Sequence, residues 1–375
     1  MDYRAKVFIV YASAGAGHLK AAQAIYDCLK KRGCPADIRL VDILDETNFW
    51  FSESYTFGYR FLVNHAIFLW RFCFLTTYAK ALRIITRPIA MILNRFSSKK
   101  FSQYLVKENP DVIVSTHFVP SEIASILKKK KKIKSFVVSV ITDYGVHPYW
   151  ISPGTDLYIA GSSVTLEKIV HEGVPRERIK ALGIPVNEKF LKKFNKNALC
   201  EKFGIRCDGF TVLLLTGSFG IGPVEEMVEL LQGKVQILAV CARNRGLYEK
   251  LQRRNFDNCR AFGFVDNIEE LMAVSDMIIT KPGGISISEA LAMDLYPIFI
   301  SPIPGQETEN VEVMARYGVG ILAKDIDSVE ELVLGLKDDP ERLKELRGVV
   351  AKVKKPMAAE EICNVVCESF AGPCC

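Results

Sequence analysis

The sequence predicts an α/β protein built from two doubly wound parallel sheets. Short apolar runs of strand length alternate with longer helical patterns along the chain. This alternation is typical of parallel strands joined by crossover helices. It occurs in two blocks, so we predict two Rossmann-like domains, residues 1–190 and 191–375, with an interdomain cleft. A late helical segment, about 341–370, is expected to pack back onto the first domain.

Composition is that of a globular protein. The 375 residues suffice for two cores, and 49% are hydrophobic while 25% are charged. The eleven cysteines are scattered without a CxxC pair, which favours buried, reduced thiols in a cytosolic compartment. A strand is expected as early as residue 6, so we expect no signal peptide before it.

The strands are predicted from the apolar runs between turn residues. In the first block these runs lie at 7–12, 38–42, 112–115, 136–142 and 157–160. In the second block they lie at 211–216, 236–241, 260–264, 277–280 and 297–300. A helix near 19–32 follows the first strand.

The turn after the first strand reads Ser-Ala-Gly-Ala-Gly-His and ends at His18. It is not a dinucleotide fingerprint, because Lys20 stands where the third glycine is required. Ligands bind at the carboxyl ends of parallel strands, so the imidazole is expected to face the cleft. A histidine with a pKa near 6.5 suits general base catalysis at neutral pH. From spacing alone, His18 can equally well cap its own loop.

The segment from residue 49 to about 134 is expected to associate with a membrane. Its aromatic first part contains His65 and Arg71, and no uncharged stretch of spanning length exists. Apolar residues with regularly placed cations are typical of helices lying at a bilayer surface. The alternative is a well-packed hydrophobic subdomain. The residues proposed for acceptor or membrane contact are Trp50, Phe51, Trp70, Arg71, Arg83 and Arg87.

Charge is concentrated in the same part of the chain. The net charge is +6, but residues 80–134 hold thirteen Lys and Arg against three acidic residues, a local excess of +10. Such a patch indicates an anionic surface as partner. The lysine run at 128–132 can also be a solvated loop. No nucleic-acid-binding module accompanies it, so we favour an anionic membrane and expect no nucleic acid partner.

A strand ending in Thr142 and Asp143 places polar groups at the rim of the cleft. Asp143 can orient a catalytic histidine or stabilise its charge. His147 is a second candidate base. Each of these residues can instead be a structural loop contact.

Residues 280–310 contain the strongest ligand signal. A buried strand is followed by Gly283 and Gly284 and then by a helix, which is an anion site formed by backbone N–H groups and the helix dipole. Glu289 can accept two hydrogen bonds from a ribose diol. Gln306 and Asn310 share one helical face, and their amides suit sugar hydroxyls. Phosphate, ribose and hexose contacts in this order indicate a nucleotide-sugar.

These motifs resemble a known enzyme family over nearly the full length. The motifs SAGAGH at 13–18, TDYGVHPYW at 142–150, LTGSFG at 215–220 and KPGGISISEA with PIPGQETEN at 281–310 are similar to those of monogalactosyl- and processive glucosyl-diacylglycerol synthases. That family is related to the lipid-linked GlcNAc transferase of peptidoglycan synthesis. The resemblance implies the GT-B fold and favours His18 as the base, with Asp143 assisting it.

The resemblance also implies the donor contacts. The turn containing Ser218 is expected beside the diphosphate, and the main chain at Phe264 and Val265 is expected to read the uracil edge. Together with the residues above, the predicted UDP-sugar site comprises Gly17, Ser218, Phe264, Val265, Gly283, Gly284, Ser286, Glu289, Gln306, Glu307 and Asn310.

The implied activity is inverting transfer of a hexose from UDP-glucose or UDP-galactose to diacylglycerol or a glycosyl-diacylglycerol. No acidic pair of the DxD type is present for a metal, so helix dipoles are expected to replace Mg²⁺, and no cofactor is expected. The enzyme is expected to be peripheral, at the cytoplasmic face of the cell membrane. The alternatives are transfer of GlcNAc to another lipid-linked acceptor, a UDP-sugar 2-epimerase, and a non-catalytic UDP-sugar sensor. No residue decides which hexose is transferred.

Overall fold

The structure is a computed structural model, and it describes residues 4–13, 15–46, 58, 66–217, 220 and 222–371. The chain divides into two compact units. The first comprises Met1–Asn187, Ile303–Glu309 and Met357–Cys375, and the second comprises Glu188–Pro302 and Asn310–Pro356. Among the described residues, each unit contains one parallel sheet of six strands. The alternating sequence pattern predicts the two parallel sheets from five apolar runs each, and it misses the two-residue strands Ile179–Lys180 and Ile321–Leu322.

The sheet of the first unit has the strand order β2-β1-β3-β4-β5-β6. Its strands are β1 Ala5–Tyr11, β2 Ala36–Asp42, β3 Val112–Ser115, β4 Phe136–Val140, β5 Leu157–Ile159 and β6 Ile179–Lys180. The described helices in the first half of the chain are α1 Ala16–Lys31, α2 Ile67–Tyr78, α3 Lys80–Ser97, α4 Lys99–Glu108, α5 Phe118–Lys129 and α6 Ser163–His171, with short 3₁₀ turns at Pro148–Trp150 and Arg176–Arg178.

The first sheet is covered on both faces. Side chains alternate along β1, so Val7 and Ile9 lie in one hydrophobic cluster while Phe8 and Val10 lie in another. The cluster around Val7 includes residues of α1 and of the last helix, Ala358–Ala371. The cluster around Phe8 includes residues of α4 and α5. These packed layers fix the strand ends from which the site loops emerge.

The sheet of the second unit has the strand order β12-β11-β10-β7-β8-β9. Its strands are β7 Thr211–Leu215, β8 Gln236–Val240, β9 Cys259–Phe262, β10 Met277–Thr280, β11 Tyr296–Phe299 and β12 Ile321–Leu322. The helices that begin in the second half of the chain are α7 Lys196–Phe203, α8 Val224–Leu230, α9 Arg245–Arg254, α10 Ile268–Val274, α11 Gly284–Ala292, α12 Gln306–Arg316, α13 Ile326–Asp338, α14 Pro340–Val353 and α15 Ala358–Ala371; a 3₁₀ turn lies at Glu188–Leu191.

Two expectations require correction. The late helical segment is two helices, α14 and α15, because the chain leaves the helix before Pro356, which has no N–H to donate. The expectation of reduced thiols is wrong at Cys200 and Cys207, which form a disulfide across seven residues. Other cysteines, such as Cys363, are free and buried.

Helices α2 and α3 expose a large apolar surface. Phe68 and Phe72 on α2 are 82% and 60% exposed, and Ile84 on α3 is 77% exposed. Within the described residues, no helix is long and apolar enough to cross a membrane. An apolar surface of this extent on neighbouring helices indicates an interaction site.

Candidate active site

Three adjacent strands of the first sheet deliver polar groups to one place. The sheet order places β1 beside β3 and β3 beside β4. His18 lies in the first turn of α1, after β1, while Thr116 follows β3 and Thr142 follows β4. Helix α1 begins at Ala16, three residues earlier than predicted, because Gly15 in an extended conformation precedes it. The carboxyl ends of parallel strands meet, so these three loops come together.

The hydrogen bonds of His18 fix its tautomer. Its Nδ1 lies 2.7 Å from the carbonyl oxygen of Thr116 and 2.9 Å from Oγ1 of Thr142. A carbonyl oxygen can only accept, so Nδ1 carries the proton in the neutral ring. Nε2 therefore holds the free lone pair, and it contacts no hydrogen-bonding group among the residues that the structure describes. An imidazole arranged in this way can accept a proton at Nε2.

Burial keeps this ring neutral. Loss of solvent lowers the pKa of His18 below 6.5, and the Asp143 carboxylate and the bond to Thr116 oppose that change. Because the net direction is downward, His18 is uncharged and basic at pH 7. The Asp143 carboxylate favours the charged form of the ring, and its assisting role in catalysis stays a prediction.

Asp143 also has a partner on α12. Nε2 of Gln306 donates to Oδ2 of Asp143 at 2.8 Å. Gln306, predicted to contact a sugar, thus contacts the carboxylate of Asp143. Oε2 of Glu307 accepts from the N–H of Ile303 at 2.7 Å, and this hydrogen bond closes the loop before α12.

The other two histidines of the region are less suited to act as bases. Nδ1 of His147 accepts from the N–H of Tyr149 at 3.2 Å, so its Nε2 bears the proton and donates to Oγ1 of Thr77 at 3.2 Å. Burial, assisted by the charge of Arg83, lowers the pKa of His147 to about 4. Both of its nitrogens are occupied.

His117 was not predicted from the sequence. Its ring packs edge-to-face on that of His18, with the centroids 4.7 Å apart, and its Nδ1 accepts from the N–H of Val119 at 3.2 Å. Burial lowers the pKa of His117 well below 6.5. His117 lies just after the carboxyl end of β3, and His18 was considered because it follows β1. The same reasoning could therefore have predicted His117.

A cavity of about 480 Å³ opens beside His18 and Asp143. Its walls are largely aromatic, and they include Trp70, Phe74, Phe118, Tyr149 and Trp150. The indole Nε1 of Trp70 donates to the carbonyl oxygen of Pro304 at 3.1 Å, which fixes the ring. A cavity with apolar walls and a few polar groups suits an amphipathic ligand whose hydroxyl approaches His18.

The cations predicted for membrane contact differ in their surroundings. Nη1 of Arg83 pairs with Oε2 of Glu172 at 2.6 Å, and Nη2 of Arg87 donates to the carbonyl oxygen of Ile151. Arg71, by contrast, is exposed. Trp50 and Phe51 lie outside the described residues.

The second unit contains the predicted phosphate-binding turn. Strand β10 is wholly buried, and after Pro282 and Gly283 the chain enters α11 at Gly284. The first N–H groups of a helix have no intrahelical acceptor, so those from Gly284 to Ser286 are available to an anion. Gly283 has an extended conformation and precedes the helix without a side-chain cap.

Two residues predicted to contact the sugar are buried in this unit. Asn310 is fully buried, and its Nδ2 donates to the carbonyl oxygen of Pro282 at 2.9 Å. Glu289 is 2% exposed. Asn310 therefore holds the glycine turn in place, while its direct contact with a sugar stays a prediction. Ser286 is half-buried on the first turn of α11.

The neighbouring strand β7 ends in a second candidate donor loop. Thr216 Oγ1 is buried and has no hydrogen-bond partner among the described residues, whereas Ser218 lies outside them. Strands β7 and β10 are adjacent, so this hydroxyl lies on the same sheet edge as the glycine turn. In the loop after β9, Phe264 is 67% exposed and Val265 is half-buried. An unpaired buried hydroxyl favours a polar ligand at this edge.

Among the residues that the structure describes, no group of three or more His, Cys, Asp or Glu side chains is placed to hold a metal ion. The first unit presents an imidazole, a carboxylate and an amide beside its cavity. The second unit, taken by itself, presents a hydroxyl and helix N–H groups at the carboxyl edge of its sheet.

Comparison with known proteins gives concordant matches in both halves of the chain. Residues 18–186 match the family model described as Monogalactosyldiacylglycerol (MGDG) synthase, and residues 211–362 match the Glycosyltransferase family 28 C-terminal domain. The chain is 30% identical to a processive diacylglycerol beta-glucosyltransferase of Bacillus cereus strain AH187, across 96% of this chain and 93% of the relative.

Two solved structures illustrate the fold. MurG of Acinetobacter baumannii has a TM-score of 0.62 at 13% identity, covering 96% of this chain and 99% of its own. The UDP-GlcNAc 2-epimerase from Neisseria meningitidis, bound to UDP-GlcNAc, has a TM-score of 0.61 at 14% identity, with 96% and 99% covered. At these identities the likeness establishes the fold, and the predicted α/β fold of GT-B type is confirmed.

Proposed function

Because this chain belongs to the family of the processive diacylglycerol beta-glucosyltransferases, we propose that it transfers a hexose from a UDP-sugar to diacylglycerol or to a glycosyl-diacylglycerol. The first unit serves the acceptor and the second unit binds the donor. The observation that carries the proposal is the free Nε2 of a neutral His18 in an aromatic cavity.

Acceptor activation is assigned to His18. As the acceptor oxygen attacks the anomeric carbon, its proton moves to Nε2, and Nδ1 keeps its hydrogen bond to Thr116. The ring becomes an imidazolium, which the nearby Asp143 carboxylate stabilises. The bond between the anomeric carbon and UDP breaks on the opposite face, so the configuration inverts.

Donor binding is assigned to the turn between β10 and α11. The free N–H groups from Gly284 to Ser286 are matched to the diphosphate, whose negative charge increases as UDP leaves. The hydroxyl of Thr216 provides a further donor at the same sheet edge. Glu289 and Asn310 remain the proposed contacts to ribose and sugar, and UDP-glucose and UDP-galactose are the proposed donors.

Membrane docking is assigned to α2 and α3. The exposed side chains of Phe68, Phe72 and Ile84 would enter the acyl region, while the exposed Arg71 stays at the headgroups. This arrangement brings an insoluble acceptor to the protein from the bilayer. We propose the cytoplasmic face of the membrane as the site of action, since UDP-sugars are supplied there.

The test is incubation of the protein with each UDP-hexose and with liposomes that contain diacylglycerol, followed by lipid chromatography. The expected result is a glycolipid with UDP-glucose or UDP-galactose and none with the His18→Asn variant. Absence of a glycolipid with every donor would refute the acceptor assignment. Conversion of a UDP-sugar to its C2 epimer without any lipid would identify an epimerase instead.

A further inference from the structure

The cavity beside His18 contains a carboxylate that the proposed transfer step does not use. Glu309 lines this cavity together with His18, Asp143 and Gln306, and all four residues belong to the first unit. Asp143 accepts a hydrogen bond from Gln306 and is assigned to the charge that develops on His18. No step described above uses Glu309, although placing a charge in a cavity with apolar walls costs free energy.

Glu309 is held by partners from two other elements of the same unit. It lies in the first turn of α12, where the helix dipole favours a negative charge. Its Oε2 accepts from Nζ of Lys168 on α6 at 2.9 Å and from the N–H of Val146, in the loop after β4, at 3.3 Å. The side chains of Glu309 and Lys168 are only 13% and 24% exposed. These hydrogen bonds to a charged oxygen fix the orientation of the carboxylate.

The loop after β4 lies directly against this carboxylate. A Cβ at Gly145 would lie 2.5 Å from Cβ of Glu309 and 2.7 Å from its Oε2, so only glycine lets the loop approach this closely. The loop is also held from α6, because Oγ1 of Thr165 donates to the carbonyl oxygen of Tyr144 at 2.8 Å. Glu309 is therefore a fixed part of the cavity wall rather than a mobile surface side chain.

One oxygen of the Glu309 carboxylate is left for a ligand. Both of its hydrogen bonds to described residues end on Oε2, and Oε1 accepts none from them. An ionised carboxylate has about four acceptor sites, so Oε1 can accept from a further donor. A hydrogen bond to a charged acceptor is stronger than one between neutral groups. The cavity thus offers an acceptor for a hydroxyl other than the one that approaches His18.

Diacylglycerol has no second hydroxyl to give to this acceptor. Its single hydroxyl group attacks in the proposed reaction and gives its proton to His18. Its ester oxygens accept hydrogen bonds and cannot donate one to Oε1 of Glu309. A lipid that already carries a hexose has several hydroxyls, so one can attack while another donates to Glu309. A site that hydrogen-bonds a substrate hydroxyl discriminates strongly against an analogue that lacks it.

The rest of the cavity also suits a sugar ring. A hexose has C–H groups on its two faces and hydroxyls around its edge, so it matches apolar walls that carry a few polar groups. The walls include the rings of Trp70, Phe74 and Trp150, and the polar groups include Asp143 and Glu309. The volume of about 480 Å³ leaves room for more than the glycerol end of a lipid.

We propose that Glu309 selects a glycosyl-diacylglycerol as acceptor, by accepting a hydrogen bond at Oε1 from a hydroxyl of the sugar that the lipid already carries. In this second transfer, another hydroxyl oxygen of the same sugar bonds to the anomeric carbon of the donor, the bond to UDP breaks, and the proton moves to Nε2 of His18. This role of Glu309 rests on the proposed function and deepens it, because it favours addition of a second sugar over a first.

The first test measures binding to the full chain without a donor sugar. The probes are octyl β-D-glucoside, a soluble glycolipid analogue, and 1-octanol, which has the same chain and, like diacylglycerol, a single hydroxyl. Each is added below the concentration at which it aggregates and followed by isothermal titration calorimetry, with and without saturating UDP. We expect the glucoside to bind at least about tenfold more tightly than octanol. Equal affinities, or loss of glucoside binding when UDP is added, would overturn the proposal.

Two variants with the same change of charge separate the carboxylate from a general effect. Glu309→Met removes the carboxylate at similar side-chain volume, and we expect the preference for the glucoside over octanol to fall by at least about tenfold. Glu167→Met is the control, because Glu167 is exposed on α6 and lies outside the cavity, and we expect less than about a twofold change. Equal losses in the two variants, or a preference retained by folded Glu309→Met, would contradict the proposal.

A third variant separates ligand binding from the ion pair. Lys168→Met removes the pair and leaves the Glu309 carboxylate and its bond from the N–H of Val146. We expect the preference for the glucoside to change by less than about threefold. If Lys168→Met reproduced the full loss, the ion pair rather than Oε1 would be responsible, and the proposal would fail. The comparison of the two probes on the native protein needs no variant, so it remains decisive even if Glu309→Met does not fold.

The second test measures the same preference in turnover, on liposomes that contain either diacylglycerol or its monoglucosyl derivative. We expect Glu309→Met to lower the ratio of kcat/KM for the glycosylated acceptor to that for diacylglycerol by at least about tenfold. A uniform loss with both acceptors would leave this ratio unchanged and would overturn the proposal. If no glycolipid forms with any donor while the glucoside preference depends on Glu309, only the proposed function is refuted. If glycolipid forms and neither preference depends on Glu309, only the role of Glu309 is refuted.

Discussion

The assignment of His18 as the base is tested most sharply by His18→Asn. In asparagine, Nδ2 occupies nearly the same place as Nδ1 of histidine, so it can donate to the Thr116 carbonyl oxygen that accepts at 2.7 Å in the native protein. The variant thus removes Nε2 and keeps the hydrogen bond. This one substitution therefore distinguishes an effect on the catalytic rate from an effect on the stability of the fold.

The expected magnitude follows from the role of the group. A positioned general base contributes about 100- to 10,000-fold, which corresponds to about 3 to 5 kcal/mol of activation free energy. The free energy of unfolding should change little, since the bond to Thr116 remains. His18→Ala loses the base and that bond together, so it should also lose about 1 kcal/mol of stability.

The assay is the initial rate of glycolipid formation on liposomes, with UDP affinity measured by calorimetry and unfolding measured by denaturant titration. We expect His18→Asn to retain native UDP affinity and native stability while kcat falls by at least about 100-fold. If His18→Asn keeps more than about one tenth of native kcat, the base is another group and the reasoning is refuted.

The pH dependence of kcat provides a check on the same group. A base must be neutral, so the rate should fall as pH decreases through the pKa of His18. Burial lowers that pKa, so the acidic limb should lie below pH 6.5, and kcat should be flat between there and pH 8. A limb centred above pH 7 would contradict a buried, neutral imidazole.

Three further predictions concern stability and membrane binding. The pKa of His147 is lowered to about 4 in the folded state. Its contribution to the free energy of unfolding is therefore present above pH 6.5, and about 3 kcal/mol of it is lost as the pH falls from 6.5 to about 4. In urea titrations at pH 7 and pH 4.5, His147→Gln should lose less stability on acidification than the native protein, with the exposed His171→Gln as control; an equal loss would contradict this. Gly305 has φ +92°, and a Cβ at this position would lie 2.5 Å from the Phe74 ring. In denaturant titrations, Gly305→Ala should therefore reduce the free energy of unfolding by about 2 kcal/mol. An unchanged free energy of unfolding would show that the loop adapts. Phe68 is 82% exposed, so Phe68→Ser should reduce liposome flotation by about tenfold while the melting temperature is unchanged; native flotation would place the docking surface elsewhere.

The fold could be predicted from the sequence because both sheets are parallel and buried. Strands covered on both faces are continuous apolar runs, and the predicted bounds 112–115 and 277–280 coincide with β3 and β10. The interruption between α14 and α15 could also have been anticipated from Pro356. The pairing of Cys200 with Cys207 could not, because spacing alone does not distinguish a disulfide from two thiols.

The candidate site was predictable only in part. His18 and Asp143 follow buried strands, so their position at the carboxyl edge of the sheet could be inferred. The hydrogen-bond partner of the His18 ring could not be inferred. It is a backbone carbonyl group, which every residue has, and it belongs to Thr116, 98 residues away in the sequence. The same limit applies to Arg83, whose partner Glu172 is 89 residues distant. Tertiary pairing of this kind is visible only in the folded chain.

The last helix, α15, has a consequence for biosynthesis. Ile362, Cys363 and Val366 are fully buried in the core formed by β1 and α1. These residues leave the ribosome only after every strand of the second sheet has been translated. During synthesis, the apolar surface of the first unit that α15 covers in the native protein therefore stays exposed until translation is nearly finished. A chaperone that binds this surface on α1 should raise the yield of native protein.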